Sequence, residues 1–153
     1  MLSKKTKYAL KALIYLANEQ DKKPVLISEL AAAEKIPKKF LEIILLSLKN
    51  HGILRSKKGK GGGYMLGRAP GDISIGNIIR MFDGPLAPVP CVSEMAYMRC
   101  GECADESTCG IRIVMKEVRD SIAGILDGTS LSDMLKKTDQ AKLEKLLAPF
   151  IQL

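Results

Sequence analysis

Apolar residues return with a helical period along most of this chain, and the places where the period fails divide it into elements. From Ser3 to about Glu19, Leu10, Leu13, Ile14 and Ala17 predict an amphipathic helix that Asp21-Lys22-Lys23-Pro24 ends. Ser28 reads as the N-cap of a short helix through Glu34, although Ala31 denies it a capping-box partner. Lys35-Ile36-Pro37 is a tight connection, with proline suited to the first turn of the next helix. That third helix runs from about Lys38 to Asn50, with Leu41, Ile44, Leu45 and Leu48 as its inward stripe. His51 reads as a helix-terminus residue interacting with the dipole, and Gly52 as a left-handed cap.

Two β-prone runs, Ile53–Ser56 and Tyr64–Gly67, flank Lys57-Lys58-Gly59-Lys60-Gly61-Gly62-Gly63 and predict a hairpin with a basic tip. Three short helices followed by such a hairpin describe a winged helix-turn-helix, with Lys35 in a turn where glycine is usual. Ser74 caps a further helix through about Phe82, stopped by Asp83-Gly84. Residues 85–108 carry no period but hold three prolines and three of the four cysteines, a length that points to function or disorder. Cys109 opens a long amphipathic helix bearing Val114, Val118, Ile122, Ile125 and Leu126, closed by Asp127-Gly128. Ser130 and Asp133 form a capping-box-like start for a short helix through Lys137, and a last helix covers about Asp139–Leu147. The expected fold is mainly α: a winged helix-turn-helix DNA-binding region at 1–83, a cysteine-containing loop at 84–108, and a long helix with C-terminal helices at 109–153.

At 153 residues with 46% hydrophobic and 27% charged content, the chain suits one domain, or one domain plus an appended arm, and is neither a disordered polyelectrolyte nor a membrane protein. The basic N-terminus is not followed by a clean apolar run or a small-residue cleavage site, so a cytoplasmic location is expected. Net charge is +7, but residues 1–68 hold 15 Lys or Arg against 5 Asp or Glu, and residues 69–153 hold 9 against 12. A basic front half suggests a face for a polyanion; a solvated lysine-rich surface is the alternative.

With the leucine stripe of the third helix turned inward, Lys39, Glu42, Ile43 and Leu46 turn outward. Lys38 and Lys39 are candidates for phosphates or guanine edges, Glu42 for a cytosine amino group, and Ile43 for a thymine methyl. Leu46 is expected to make an intramolecular or dimer contact instead. Lys57, Lys58 and Lys60 place cations on a glycine-rich tip that approaches phosphates or the minor groove. Nucleotide binding by this tip is set aside, because Walker spacing and a following helix are both missing.

Cys91, Cys100, Cys103 and Cys109 lie within 19 residues and are the chain's only cysteines. Four soft thiolates suit an iron–sulfur cluster or tetrahedral zinc, although a two-knuckle zinc site needs two Cys-x2-Cys pairs and one is present. A thiol oxidoreductase using Cys100 and Cys103 lacks its βαβ context. Glu94, Glu102, Asp105 and Glu106 are expected to raise the thiol pKa values, against a free catalytic thiol.

Lys7-Tyr-Ala-Leu10, Ile36-Pro-Lys-Lys-Phe-Leu-Glu-Ile43, Gly59-Lys-Gly-Gly-Gly-Tyr-Met-Leu66, the cysteine region and Asp127-Gly-Thr-Ser-Leu131 together resemble the Rrf-two family of bacterial winged-helix regulators (IscR-, NsrR- and CymR-like proteins). The resemblance spans nearly the whole chain. It implies a homodimer joined through the helix after the last cysteine and a palindromic operator in double-stranded DNA. It also implies an iron–sulfur cluster that tunes DNA affinity, 2Fe–2S ahead of 4Fe–4S. Cys91, Cys103 and Cys109 match the family's three cluster cysteines, Glu42 and Ile43 its base-reading positions, and Lys58 the place of a wing arginine. Arg112 stands where IscR-like members carry a histidine, and Lys7 where NsrR-like members can carry an aspartate; Cys100 is an additional thiol and a candidate fourth ligand. The expected function is a non-enzymatic, dimeric transcription regulator sensing iron, redox state or nitric oxide. A structural zinc on the same DNA reader, the same reader without metal, and a thiol oxidoreductase are the alternatives.

Overall fold

The chain folds as α1 (Lys4–Asn18), α2 (Ile27–Glu34), α3 (Lys38–Asn50), an antiparallel hairpin of β1 (Leu54–Lys57) and β2 (Gly63–Leu66), then α4 (Ile75–Asp83), α5 (Gly110–Asp127) and α6 (Leu131–Ile151). This computed structural model describes residues 2–19 and 23–151, apart from the side chains of 150 and 151. The expected terminators Asp21 and Lys22 lie outside the described residues. The architecture is the mainly helical winged helix-turn-helix that the periodicity predicts.

Ser3 caps α1 by accepting from the Thr6 amide, and its own amide donates to Asp83 at the end of α4, tying two helix ends together. The start of α2 differs from expectation. Val25 pairs with Tyr64 of the wing through both backbone hydrogen bonds, so the chain arrives extended and turns into helix at once from Leu26. Ser28 therefore falls inside the first turn, and no side chain caps the helix. Lys35 takes the left-handed conformation (φ 54, ψ 45) that glycine usually supplies in this turn. Gly52, at φ 71, closes α3 as expected.

The α3 stripe is the centre of the core: Leu41, Ile44, Leu45 and Leu48 are fully buried against α1 and α2. Each such side chain contributes about 1.5–3 kcal/mol by leaving water. The hairpin is shifted one residue from its expected limits, so Lys57 lies on β1 opposite Gly63 and the tip proper carries Lys58 and Lys60. A bulkier residue at Gly63 would drive its Cβ into the backbone of Val25.

The two expected C-terminal helices are one. Ser130 and Asp133 make the reciprocal capping box that the sequence suggests, but Thr138 hydroxyl donates back to the Met134 carbonyl (2.9 Å) and the helix continues through 138–139. Leu131 at its start is fully buried with Ile73 and Ile75, and the Ile73 carbonyl accepts its amide (2.8 Å). No described residue of α5 is buried; Val114, Val118, Ile122 and Ile125 lie exposed along one face. Among the described residues, no helix is long and apolar enough to cross a membrane.

Candidate nucleic-acid interface and thiol cavity

Between the start of α2, the outer face of α3 and the wing lies a groove of about 450 Å3. It brings together Lys38, Glu42, Lys57 and Lys58 with Lys49, Ser56 and Tyr64. Lys49 was missed by sequence reasoning, yet it stands seven residues after Glu42 and eleven after Lys38, on one helical face. Lys39 and Ile43 are exposed on the same helix, and Lys60 on the tip, outside the residues lining that groove. Leu46 does not pack within its own chain; it is 52% exposed beside Ile43 at 59%. The third helix thus presents three apolar side chains, Phe40, Ile43 and Leu46, and three lysines to solvent on a fully packed support, while the wing adds its cations from a second element. His51 stands at the helix end, where its ring Nδ1 meets the Ser47 carbonyl (2.8 Å).

All four cysteines line a second cavity of about 290 Å3, walled also by Met98, Arg99, Glu106 and Arg112. A short turn of 3-10 helix at Pro90–Val92 carries Cys91, the loop carries Cys100 and Cys103, and Cys109 is the N-cap residue of α5. The four sulfurs are free thiols and Cys100 is exposed. Among the described residues, no three His, Cys, Asp or Glu side chains converge into a closed ligand set. Tyr97 hydroxyl donates to both oxygens of Glu106 (2.8 and 2.9 Å), which raises the tyrosine pKa and closes the outer turn of the loop.

The thiols are not uniformly raised, as the acidic surroundings had led us to expect. Cys109 is lowered: the Arg112 backbone N–H donates to its sulfur, and the Cys103 thiol, the Ile111 N–H and the Arg112 guanidinium add to this against desolvation. The amides at the helix N-terminus lead this lowering. Cys103 is raised, first by desolvation and then because it donates its proton toward Cys109. A cavity with one anion-favouring thiol and three further soft sulfur donors fits an iron–sulfur cluster or another soft metal centre by donor type.

Residues 2–137 match the family model for Rrf2, described as an iron-dependent transcriptional regulator. An rrf2-like HTH-type transcriptional regulator of Rhodobacter capsulatus is 46% identical over 138 residues, covering 88% of this chain and 92% of that one. The solved structure of CymR (YrzC), the global cysteine regulator of B. subtilis, is similar at a TM-score of 0.75 and 29% identity, over 90% of this chain and 97% of that one. That of T. potens IscR is similar at 0.72 and 28%, over 92% and 90% respectively.

Proposed function

This chain belongs to the Rrf2 family of DNA-binding transcriptional regulators, and on that premise we propose that it senses its signal through an iron–sulfur cluster held by Cys91, Cys103 and Cys109. The observation that carries this reading is that all four cysteines line one cavity at the start of the long, unburied α5. Cys100, on the same cavity, is the candidate fourth ligand. Arg112 cannot take the place of a histidine ligand: a guanidinium stays charged and offers donors only, and its Nε donates to the Cys91 carbonyl (3.3 Å). The cluster, of 2Fe–2S type in our reading, supplies a centre that responds to iron, redox state or nitric oxide when bound.

Two protomers join through the apolar face of α5, where Val114, Val118, Ile122 and Ile125 otherwise face water. Each protomer sets α3 in a major groove of a palindromic duplex, Lys38 and Lys39 on phosphates or guanine edges, Glu42 and Ile43 on base edges. Lys57, Lys58 and Lys60 follow the adjacent backbone and minor groove. Because the cysteine loop feeds directly into α5, ordering of the loop alters how the two recognition helices are spaced. The coupling expected between such sites is about 1–3 kcal/mol and is reciprocal.

Anaerobic purification followed by visible absorption and iron and acid-labile sulfide analysis tests the cofactor. Equal iron and sulfide with visible colour is the expected result. Colourless, iron-free protein under strict anaerobiosis overturns the cluster, and zinc at one per chain without visible absorbance assigns the cavity to a structural clasp.

A further inference from the structure

Cys91 is separated from the other three cysteines by the irregular loop, so something must hold it on their cavity. The fold places two arginines of α5 there. Arg112 and Arg119 are seven residues apart on one helical face, and both reach back to the segment that carries Cys91. Arg112 Nε donates to the Cys91 carbonyl at 3.3 Å, and Arg119 Nη1 donates to the Val92 carbonyl at 2.8 Å. Arg119 is largely enclosed, with its side chain 13% exposed; it also pairs with Glu94 at 3.4 Å and with its neighbour Asp120. Between these polar ties Val92 is 3% exposed and Ser93 is 7% exposed, the two buried residues of the whole 84–108 stretch. Further along the loop Met95, Tyr97 and Met98 are 74%, 54% and 63% exposed.

We infer that Arg112 and Arg119 are positioning residues that latch the Cys91–Glu94 segment onto α5 and so deliver Cys91 to the cavity of the other three thiols. Backbone carbonyls are strong acceptors that a segment without sheet or helix partners must satisfy by other means. Charged donors serve this well, because a charge-assisted hydrogen bond is stronger than a neutral one. The latch acts on the backbone and leaves the sulfur free for other chemistry. It also fixes Cys91 relative to α5 itself, so that a change at the thiols is felt directly by that helix. This inference rests on the cavity reading proposed above, and its test separates the two.

The test uses full-length apo protein and maps the alkylation rate of each cysteine by mass spectrometry under reducing, anaerobic conditions, with exposed Cys100 as internal reference. An Arg112→Gln, Arg119→Met variant is expected to label at Cys91 about tenfold faster relative to Cys100, the factor for loss of roughly one net hydrogen bond of local stability. An Arg112→Lys, Arg119→Lys variant, which keeps a charged donor at each position, recovers part of the protection. Asp127→Asn, which removes the carboxylate charge of the ion pair between α4 and α5 at the far end of α5 from the cysteine loop, keeps the parental Cys91 rate and so controls for general loosening. On protein reconstituted with iron and sulfide, the double Gln/Met variant shifts the visible and electron paramagnetic resonance signature and Asp127→Asn does not. An unchanged Cys91 rate in the Gln/Met variant, or an equal rise in Asp127→Asn, overturns the latch. If the parent assembles no cluster while the labelling pattern appears as expected, the latch stands and the cofactor reading alone fails.

Discussion

Arg80 on α4 and Asp127 at the end of α5 meet guanidinium to carboxylate, with two N–H groups donating to the two oxygens, the Nη2–Oδ2 arm at 2.8 Å. A Cβ at Gly76 would collide with that same carboxylate, so the absence of a side chain there leaves room for Asp127 to reach Arg80 in this geometry. The pair links the helix proposed to join protomers to the helix packed on the DNA-reading core.

The carboxyl of Asp127 is held below its ordinary range by the Arg80 hydrogen bonds. A carboxylate with a depressed folded pKa stabilises above its unfolded value, and the contribution disappears as pH falls through the folded pKa. Asp127→Asn is therefore expected to lower the melting temperature at pH 7 and to match the parent near pH 2–3. With Asp127 side chain 45% exposed, solvent screening limits the effect to about 1 kcal/mol or less, a shift of roughly 2–4 °C. Thermal melts of both proteins across pH 2–8 check this; a difference that persists at the acid end contradicts it.

Lys35 occupies a left-handed conformation that a side chain resists by about 1–2 kcal/mol. Lys35→Gly removes that resistance but adds about 0.4–1 kcal/mol of unfolded-chain entropy, leaving a net gain of roughly 0.5 kcal/mol. The expected rise in melting temperature is about 1–2 °C. Lys35→Val, β-branched, is expected to lower it by more. Paired calorimetry of the three proteins checks both signs.

How far these relationships could be read in advance depended on their range along the chain. The stripe Leu41, Ile44, Leu45 and Leu48 and the cap Gly52 follow from local period and backbone conformation, so α3 was legible to the residue. Ser28 failed as a cap because the entry to α2 is set by Val25 pairing with Tyr64, nearly forty residues away. Thr138 and Asp139 look like a break, yet the Thr138 hydroxyl satisfies a carbonyl within the helix and lets it run on. In the cysteine region the residue types and spacing announced soft-donor chemistry. The arginine contacts to Cys91 and Val92 bridge 21 and 27 positions, and no local pattern marks them. The lowered Cys109 pKa was hidden for a related reason: counting nearby carboxylates leaves out the amides of a helix that begins at that residue.

Lys58 and Lys60 are exposed at the wing tip and make no described contact that a substitution would break. A Lys58→Ala, Lys60→Ala variant is expected to keep its melting temperature and lose DNA affinity, with the slope of log affinity against log salt shallower by about 2 per protomer. Anisotropy titrations on one duplex from low to physiological salt measure it. An unchanged slope would remove these lysines from the interface.

The account turns on a thermodynamic link between the thiol cavity and the DNA face, and one comparison measures that link. A duplex selected from a random pool by the protein itself is titrated anaerobically, at fixed salt, with reconstituted protein and with the same preparation stripped of metal. The account predicts sequence-specific binding whose affinity differs between the two forms by about 5- to 150-fold. Identical affinity in both forms, from a preparation shown to carry its cluster, would contradict it.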